Sequence, residues 1–426
     1  MLLYLKHFYT LLVLTAREMQ GLAASVPYLY TSDSCIEYWN HTVSKLLHPW
    51  KLGIQRNLLY QNELLTQVLG HTPLHLRVKN NKLYCVQHAS PSSKLRLKKY
   101  RALHYINRVN RVLLHKNLSD NLEWWTHQSD WSKVVRNSQN MAQFPPIFAV
   151  AGGVDYLDIP GIPFMSFSDK AYIMEQKTLR SIKSSMSFEN VWKLRKKSAF
   201  FRGSLSDCGT KGAYCSRAKI VLYAANSNDK FFSGVGTTTD LSKFSLRYPE
   251  LFECLSCEHE KLASKKYIEK LFEYKYLLNF NGAGNWSRRL STLFASGGAV
   301  FQAESSGYQF YELGLEPGVH YIPFDIEDGI ASGNLRSRLE WAMLNDARMK
   351  EIAIRSESFE ANCLQEVSID YFVYTLLTSY EKLLQGSVKD VDTINLSSCI
   401  VQDYLYDRKI RVPRVCEVVL DRCWAH

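Results

Sequence analysis

Between residues 145 and 325 the texture of the chain is one of short apolar runs that stop at Gly, Ser or Asn and give way to stretches with helical spacing. The run 147–151 stops at Gly152 and Gly153. The run 198–201 stops at Arg202, Gly203 and Ser204, and the run 274–280 stops at Asn281, Gly282, Ala283 and Gly284. Helical patterns follow at 216–225 and from near Ser287 to Ala295, and 298–301 reads as one more strand. Alternating strands and helices build a parallel sheet covered by helices. Ligands of such sheets bind beyond the carboxyl ends of the strands. The sequence therefore predicts an α/β chain whose chemistry sits in the loops that end these runs.

The flanks read differently. Residues 36–140 are mostly helical in pattern, with a strand-like pair at 74–78 and 83–86. The segment 94–116 carries Lys94, Arg96, Lys98, Lys99, Arg101, Arg108, Arg111 and Lys116. Its apolar residues Ala102, Ile106, Val109 and Leu113 recur at helical spacing, which predicts an amphipathic helix with a solvated basic face. Residues 336–384 are helical again. In the tail, Asp390-Val391-Asp392 has the form of a metal-binding Asp-x-Asp, but it lies in a polar connector and reads as a solvated turn. No internal repeat or low-complexity tract interrupts the chain.

The stretch 274–301 is the richest in chemical meaning. Tyr274, Tyr276, Leu278 and Phe280 should share one strand face, and Gly282 and Gly284 let the backbone approach a ligand. A helix starting near Ser287 offers free N–H groups to an anion. Arg288 and Arg289 in that first turn are disfavoured by the helix dipole unless an anion is present, and a diphosphate would supply it. The alternative is a Gly-rich turn with two surface arginines. Arg217, at the start of the helix after Arg202-Gly203-Ser204, repeats the logic, with a pairing to Asp207 as its alternative. Guanidinium groups suit phosphate because they offer paired donors in one plane. Chemistry on a hydroxyl beside such an anion site would also need a base. Asp155, after the run 147–151 and two glycines, is the candidate, and Asp158 competes with it.

The 426 residues, 46% of them hydrophobic, are enough for two domains. The formal charge of +11, from 52 Lys and Arg against 41 Asp and Glu, favours anionic partners without choosing among them. Residues 1–24 resemble a signal peptide, because the apolar run 8–16 falls short of the ~20 residues of a membrane span. A first helix of the mature domain is the other reading. Ten cysteines and four sequons, at Asn40, Asn117, Asn285 and Asn395, fit disulfides in an oxidising lumen. Cys254 and Cys257 lack a second pair at zinc spacing, so a disulfide is expected there rather than a metal site. No nucleic-acid-binding motif accompanies the positive charge.

The ordered segments Ala199-Phe-Phe-Arg-Gly-Ser204, Tyr274-Lys-Tyr-Leu-Leu-Asn-Phe280, Ser287 with Arg289 and Leu293-Phe294, and Val319-His-Tyr-Ile-Pro323 resemble the signature of the protein O-glucosyltransferase family. That family includes the Rumi-like and KDEL-containing enzymes and fungal capsule-associated relatives. The resemblance implies two Rossmann-like domains facing a cleft, a GT-B-like architecture, and an inverting, metal-independent transfer from a UDP-sugar without a further cofactor. By position it implies nucleotide-sugar contacts at Arg202, Gly203, Ser204, Arg217, Gly284, Asn285, Trp286, Ser287, Arg288 and Arg289. Asp155 takes the place of the base, because Val154-Asp155-Tyr156 precedes Pro163-Phe-Met-Ser-Phe-Ser168. The family's arginine before the base is Val154 here, its proline after it is Leu157, and its arginine after Asn-Phe is Asn281. The glycine loop is one residue longer, and a tryptophan-rich segment that helps hold sugar and acceptor has no counterpart.

These readings divide the chain into a leader (1–24), an acceptor-side domain bearing the base (25–170), a nucleotide-sugar domain (171–345) and C-terminal helices and tail (346–426) that pack back on the acceptor side. The expected protein is a monomer of the endoplasmic reticulum or Golgi lumen, or secreted. It would move glucose or xylose to Ser or Thr of a protein, such as a small disulfide-rich domain. A polysaccharide acceptor and a catalytically inactive nucleotide- or glycan-binding relative are the alternatives. A glycan on Asn285 would block the phosphate loop, so that sequon is expected to stay unmodified, while Asn40, Asn117 or Asn395 is open to carry glycan.

Overall fold

The computed structural model describes residues 31–424 apart from 62–64, 66–67, 70–72, 88–98, 128–133, 162–169, 186, 206–214, 227–228, 239–263, 283–286, 288, 326–333 and 400–413. The first half carries α1 (Ser32–Leu47), β1 (Ile54–Gln55), β2 (Leu74–Lys79), β3 (Lys82–Val86), α2 (Lys99–His115), β4 (Glu123–Thr126), α3 (Ser138–Gln143), β5 (Ile147–Ala149), β6 (Ala151–Gly153) and β7 (Asp158–Pro160). There follow α4 (Lys170–Lys183), α5 (Phe188–Leu194), β8 (Lys196–Gly203), α6 (Ser216–Asn226), β9 (Gly234–Thr237), α7 (Ser264–Leu271), β10 (Tyr274–Asn279), α8 (Arg289–Ala295), β11 (Ala299–Ala303), β12 (Gly307–Gln309) and β13 (Ile322–Phe324). The C-terminal part adds α9 (Asn334–Leu344), α10 (Asp346–Cys363), α11 (Glu366–Glu381), β14 (Leu384–Gln385), β15 (Thr393–Asn395) and α12 (Arg414–Trp424).

The second half forms a parallel sheet in the order β13-β11-β10-β8-β9. Both faces are buried, as an all-parallel sheet requires. Ala199, Phe201, Tyr276, Leu278, Phe280 and Phe301 join one apolar cluster, and Phe200, Leu277 and Val300 join the other. Tyr274 departs from the expected face. The pairing with β8 shifts register between Tyr274 and Tyr276, and the Tyr274 ring stacks on Phe200 at 5.1 Å in the second cluster. Ranked along the chain, the five strands run 2-1-3-4-5, a doubly wound order. The order reverses between β8 and β10, and that crevice is where such folds hold ligands.

The first sheet runs β15-β3-β2-β4-β5-β7 and is mixed. Strands β15, β3, β2 and β4 pair antiparallel, and β4, β5 and β7 pair parallel. This differs from the parallel Rossmann-like layer expected there. The cause is local: Asn80 and Asn81 adopt φ of 50° and 53°, and a two-residue turn with both φ positive joins only antiparallel strands. The run 147–151 also splits at Val150. Strand β5 stays in the first sheet, while β6 pairs with β12 of the second half, Gly153 opposite Gly307 and Ala151 opposite Gln309.

Helix α11 lies on α1 and α2, with Trp39 Nε1 donating to Ser368 Oγ at 2.8 Å. The basic face of α2 is not fully solvated, contrary to expectation. Arg108 is buried, its Nη2 donating to Glu366 Oε1 at 3.1 Å and its Nη1 to Asp370 Oδ1 at 3.2 Å, and Arg111 meets the same two acids. Strand β14 pairs with β1, and Cys35–Cys363 and Cys85–Cys423 bridge the two ends of the chain. Cys215 is also disulfide-bonded. Asp390 and Asp392 are exposed just ahead of β15, as the turn reading requires. Among the described residues no helix is long and apolar enough to cross a membrane. Residues 1–24, read as a leader, and Cys254 and Cys257 lie outside the described residues.

Candidate functional site

Where β8 and β10 end side by side, Arg217 ties the two ends together. Its Nη1 donates to the Ser204 carbonyl at 3.0 Å, and its Nη2 to the carbonyls of Phe280 and Asn281, both at 3.3 Å. A buried cation near the start of α6 is thus met by backbone oxygens. Asp207, the acid considered for it, lies outside the described residues. Arg202 is buried on β8 and donates from Nη1 to the Gly234 carbonyl at 2.8 Å.

Beside this crevice a cavity of about 290 Å³ is lined by Glu175, Arg202, Tyr267, Ser287, Arg289 and Thr292. Arg289 is the first described residue of α8, and its N–H donates to Ser287 Oγ at 3.2 Å. The Arg289 guanidinium lies over the Phe201 ring at 5.0 Å, and its Nη1 is buried without a hydrogen-bond partner. It forms no ion pair among the described residues. A Cβ on Gly203 would stand 2.8 Å from Arg289 Nη2 and 2.5 Å from Phe201 Cζ, so only glycine lets the arginine lie this close to β8. A buried, unpaired donor costs about 1–3 kcal/mol. An anion in the cavity would remove that cost.

Asp155 sits in the turn after β6, with an exposed carboxylate that has no hydrogen bond or ion pair among the described residues. Its backbone carbonyl accepts from Arg136 N at 2.7 Å. It does not line the cavity, but the β6–β12 ribbon joins the two places. Val154 N donates to the Ser306 carbonyl at 3.0 Å, and Gln309 Nε2 donates to the Ser287 carbonyl at 3.0 Å. Asp158, the competing aspartate, is buried and committed: Oδ1 lies 2.6 Å from His127 Nε2, and Oδ2 accepts from Val134 N at 2.9 Å. Only Asp155 of the two is open to a substrate.

Beneath the ribbon, Asn281 Nδ2 donates to the Gly307 carbonyl at 3.0 Å, and Gln309 Nε2 also reaches Glu312 Oε1. Burial pushes the Glu312 carboxyl up to about 7, against the opposing pull of hydrogen bonds from Gln309 and Asn281. His320, buried with its Nδ1 accepting from Glu316 N, is held down at about 4 by burial.

Of the residues expected at the site, Arg202, Gly203, Ser287 and Arg289 meet around the cavity, and Ser204 and Arg217 meet at the strand ends. Gly284, Asn285, Trp286 and Arg288 lie outside the described residues. Glu175, Tyr267, Thr292, Gln309 and Glu312 were not anticipated. Each sits in a helical or strand-like stretch with no motif of its own, and only the tertiary fold brings it here.

The family model for glycosyl transferase family 90 matches residues 30–402. Protein O-glucosyltransferase 1 of Bos taurus is 24% identical over 371 residues, 84% of this chain and 83% of the relative. Protein O-glucosyltransferase 2 of Danio rerio is 24% identical over 330 residues, 77% of this chain but 59% of the relative. The O-glucosyltransferase rumi of Drosophila melanogaster is 30% identical over 192 residues, 42% of this chain and 46% of the relative. The family match takes in both sheets, the Arg289 cavity and the Asp155 turn: the chain belongs to glycosyl transferase family 90.

Proposed function

We propose that the chain transfers glucose or xylose from a UDP-sugar to a Ser or Thr hydroxyl of a protein, with inversion at the anomeric carbon. The observation that carries this reading is the buried, unpartnered Nη1 of Arg289 at a cavity beside the switch point of a doubly wound sheet. Asp155 takes the acceptor proton as the acceptor oxygen attacks the anomeric carbon. The bond from that carbon to the diphosphate breaks on the opposite face, and a single displacement of this kind inverts the centre. Arg289, with Arg202 behind it, stabilises the charge that develops on the leaving diphosphate, so cationic side chains fill the role that a metal ion plays elsewhere. The relatives named protein O-glucosyltransferases support a protein acceptor. Two disulfides closing loops of 328 and 338 residues support a lumenal or secreted location.

A second reading, nucleotide binding without transfer, draws on Val154. This apolar side chain is 57% exposed next to Asp155, where the resembled family carries an arginine. The test is incubation with UDP-glucose or UDP-xylose and a small disulfide-rich acceptor domain, read by the mass of the acceptor and by released UDP. Wild type should transfer, and Asp155→Asn should lose transfer while still binding UDP. Full transfer by Asp155→Asn would remove the base from this account. UDP binding by wild type without any transfer would favour the second reading.

A further inference from the structure

Three of the four sequons fall on described residues, and the fold presents them differently. Asn40-His41-Thr42 lies within α1. Thr42 is fully buried, with its Oγ1 2.3 Å from where a Cβ on Gly314 would stand, and Asn40 Oδ1 accepts from Tyr371 OH at 3.2 Å. Asn117-Leu118-Ser119 lies in the loop after α2. Asn117 is exposed and makes no hydrogen bond among the described residues, while Leu118 N is held by Asn81 Oδ1 at 3.3 Å. Asn395-Leu396-Ser397 begins on β15, the outermost strand of the first sheet. Asn395 is exposed between the buried Ile394 and Leu396. Its Oδ1 accepts from the backbone Ser397 N at 2.8 Å, and its Nδ2 makes no hydrogen bond among the described residues.

We infer that Asn117 and Asn395 are N-glycan attachment sites. Both side chains point to solvent from irregular or edge backbone, with the Ser of each sequon partly exposed. Attachment is a transfer from an oligosaccharide carried on a lipid diphosphate. Asn Nδ2 bonds to the anomeric carbon, the bond from that carbon to the diphosphate breaks, the amide gives up one proton, and the diphosphate departs. The oxidising compartment that forms Cys35–Cys363 and Cys85–Cys423 is the one where such transfer occurs.

The placement has a consequence that rests on the proposed function. Asn395 stands on the first strand in the sheet order, and β7, three residues after Asp155, is the last. Five strand spacings separate them, about 24 Å. A glycan at Asn395 therefore decorates the flank away from Asp155 and leaves the approach of a protein acceptor open.

The test is expression of the full chain in a eukaryotic secretory host, enzymatic deglycosylation in heavy-oxygen water, and peptide mass spectrometry. Labelled aspartate is expected at positions 117 and 395, and Asn117→Gln and Asn395→Gln should each remove one glycan from the intact mass. Unmodified asparagine at either position in disulfide-bonded protein overturns that assignment. Deglycosylating the folded wild type should leave UDP binding unchanged, and weakened binding would contradict the placement away from the site. Because the mass readout needs no transfer activity, its failure is distinct from failure of the proposed function, and Asp155→Asn should carry the same glycans.

Discussion

Replacing Glu312 by Gln tests the polar cluster under the β6–β12 ribbon through stability alone. Glutamine keeps the shape and mimics the protonated acid, so the partners Gln309 and Asn281 remain. Burial raises the folded carboxyl from its ordinary 4.5 to about 7, so the folded chain binds this proton more tightly than the unfolded chain does. Such a group stabilises fully below the unfolded value, and the contribution is lost as pH rises toward and through about 7. At about 1.4 kcal/mol per pH unit, the shift is worth about 3 kcal/mol, most of it lost between about pH 5 and about pH 8. His320 and His104, held at about 4 and about 3 by burial, act in the opposite sense as pH rises toward the histidine value of 6.5. The difference between wild type and Glu312→Gln cancels both. Urea unfolding of the two proteins across this range should therefore show wild type losing stability relative to the variant as pH rises. A constant difference at every pH would refute the enclosed, proton-retaining Glu312.

Two further variants probe the rest of the frame. Arg289→Ala removes the unpartnered donor at the cavity, and losing charge-assisted hydrogen bonds of about 1.5–3 kcal/mol should weaken UDP about 10- to 150-fold in calorimetric titration. Its melting temperature should change little, since the lost stacking of the guanidinium on Phe201 is offset by removal of the buried, unpartnered Nη1. The double variant Cys35→Ser, Cys363→Ser opens a loop of 328 residues. Because Cys85–Cys423 still joins the two ends of the unfolded chain, the loss should fall in the range typical of one native bridge, about 2–5 kcal/mol, read by denaturant unfolding.

What could be read from the sequence follows from which interactions are local. Strands buried on both faces appear as unbroken apolar runs, so β8, β10 and β11 and their Gly, Ser and Asn stops were legible, as were the β2–β3 pair and α6. The mixed order of the first sheet was not, because it follows from the Asn80–Asn81 turn and from β15, which arrives more than 300 residues after β3. The break at Val150 was hidden for a similar reason: the partner of β6 lies more than 150 residues downstream. The basic face of α2 looked solvated because its acids, Glu366 and Asp370, are carried by α11. At the site, cations at helix starts were visible, but their fates were not. Arg217 is met by three carbonyls, whereas Arg289 is left without a partner, and only the packing separates the two. Asp155 and Asp158 were indistinguishable as letters, and burial against His127 sets them apart.

The proposed function requires a nucleotide diphosphate held at Arg289, at the switch point of the second sheet. A crystal structure of the protein with UDP measures it directly. Diphosphate oxygens are expected within about 3 Å of Arg289 Nη1, a hydrogen-bond distance, with the Asp155 carboxylate facing the side of the nucleotide where the sugar would extend. UDP bound elsewhere, with Arg289 Nη1 still without a partner, would contradict it.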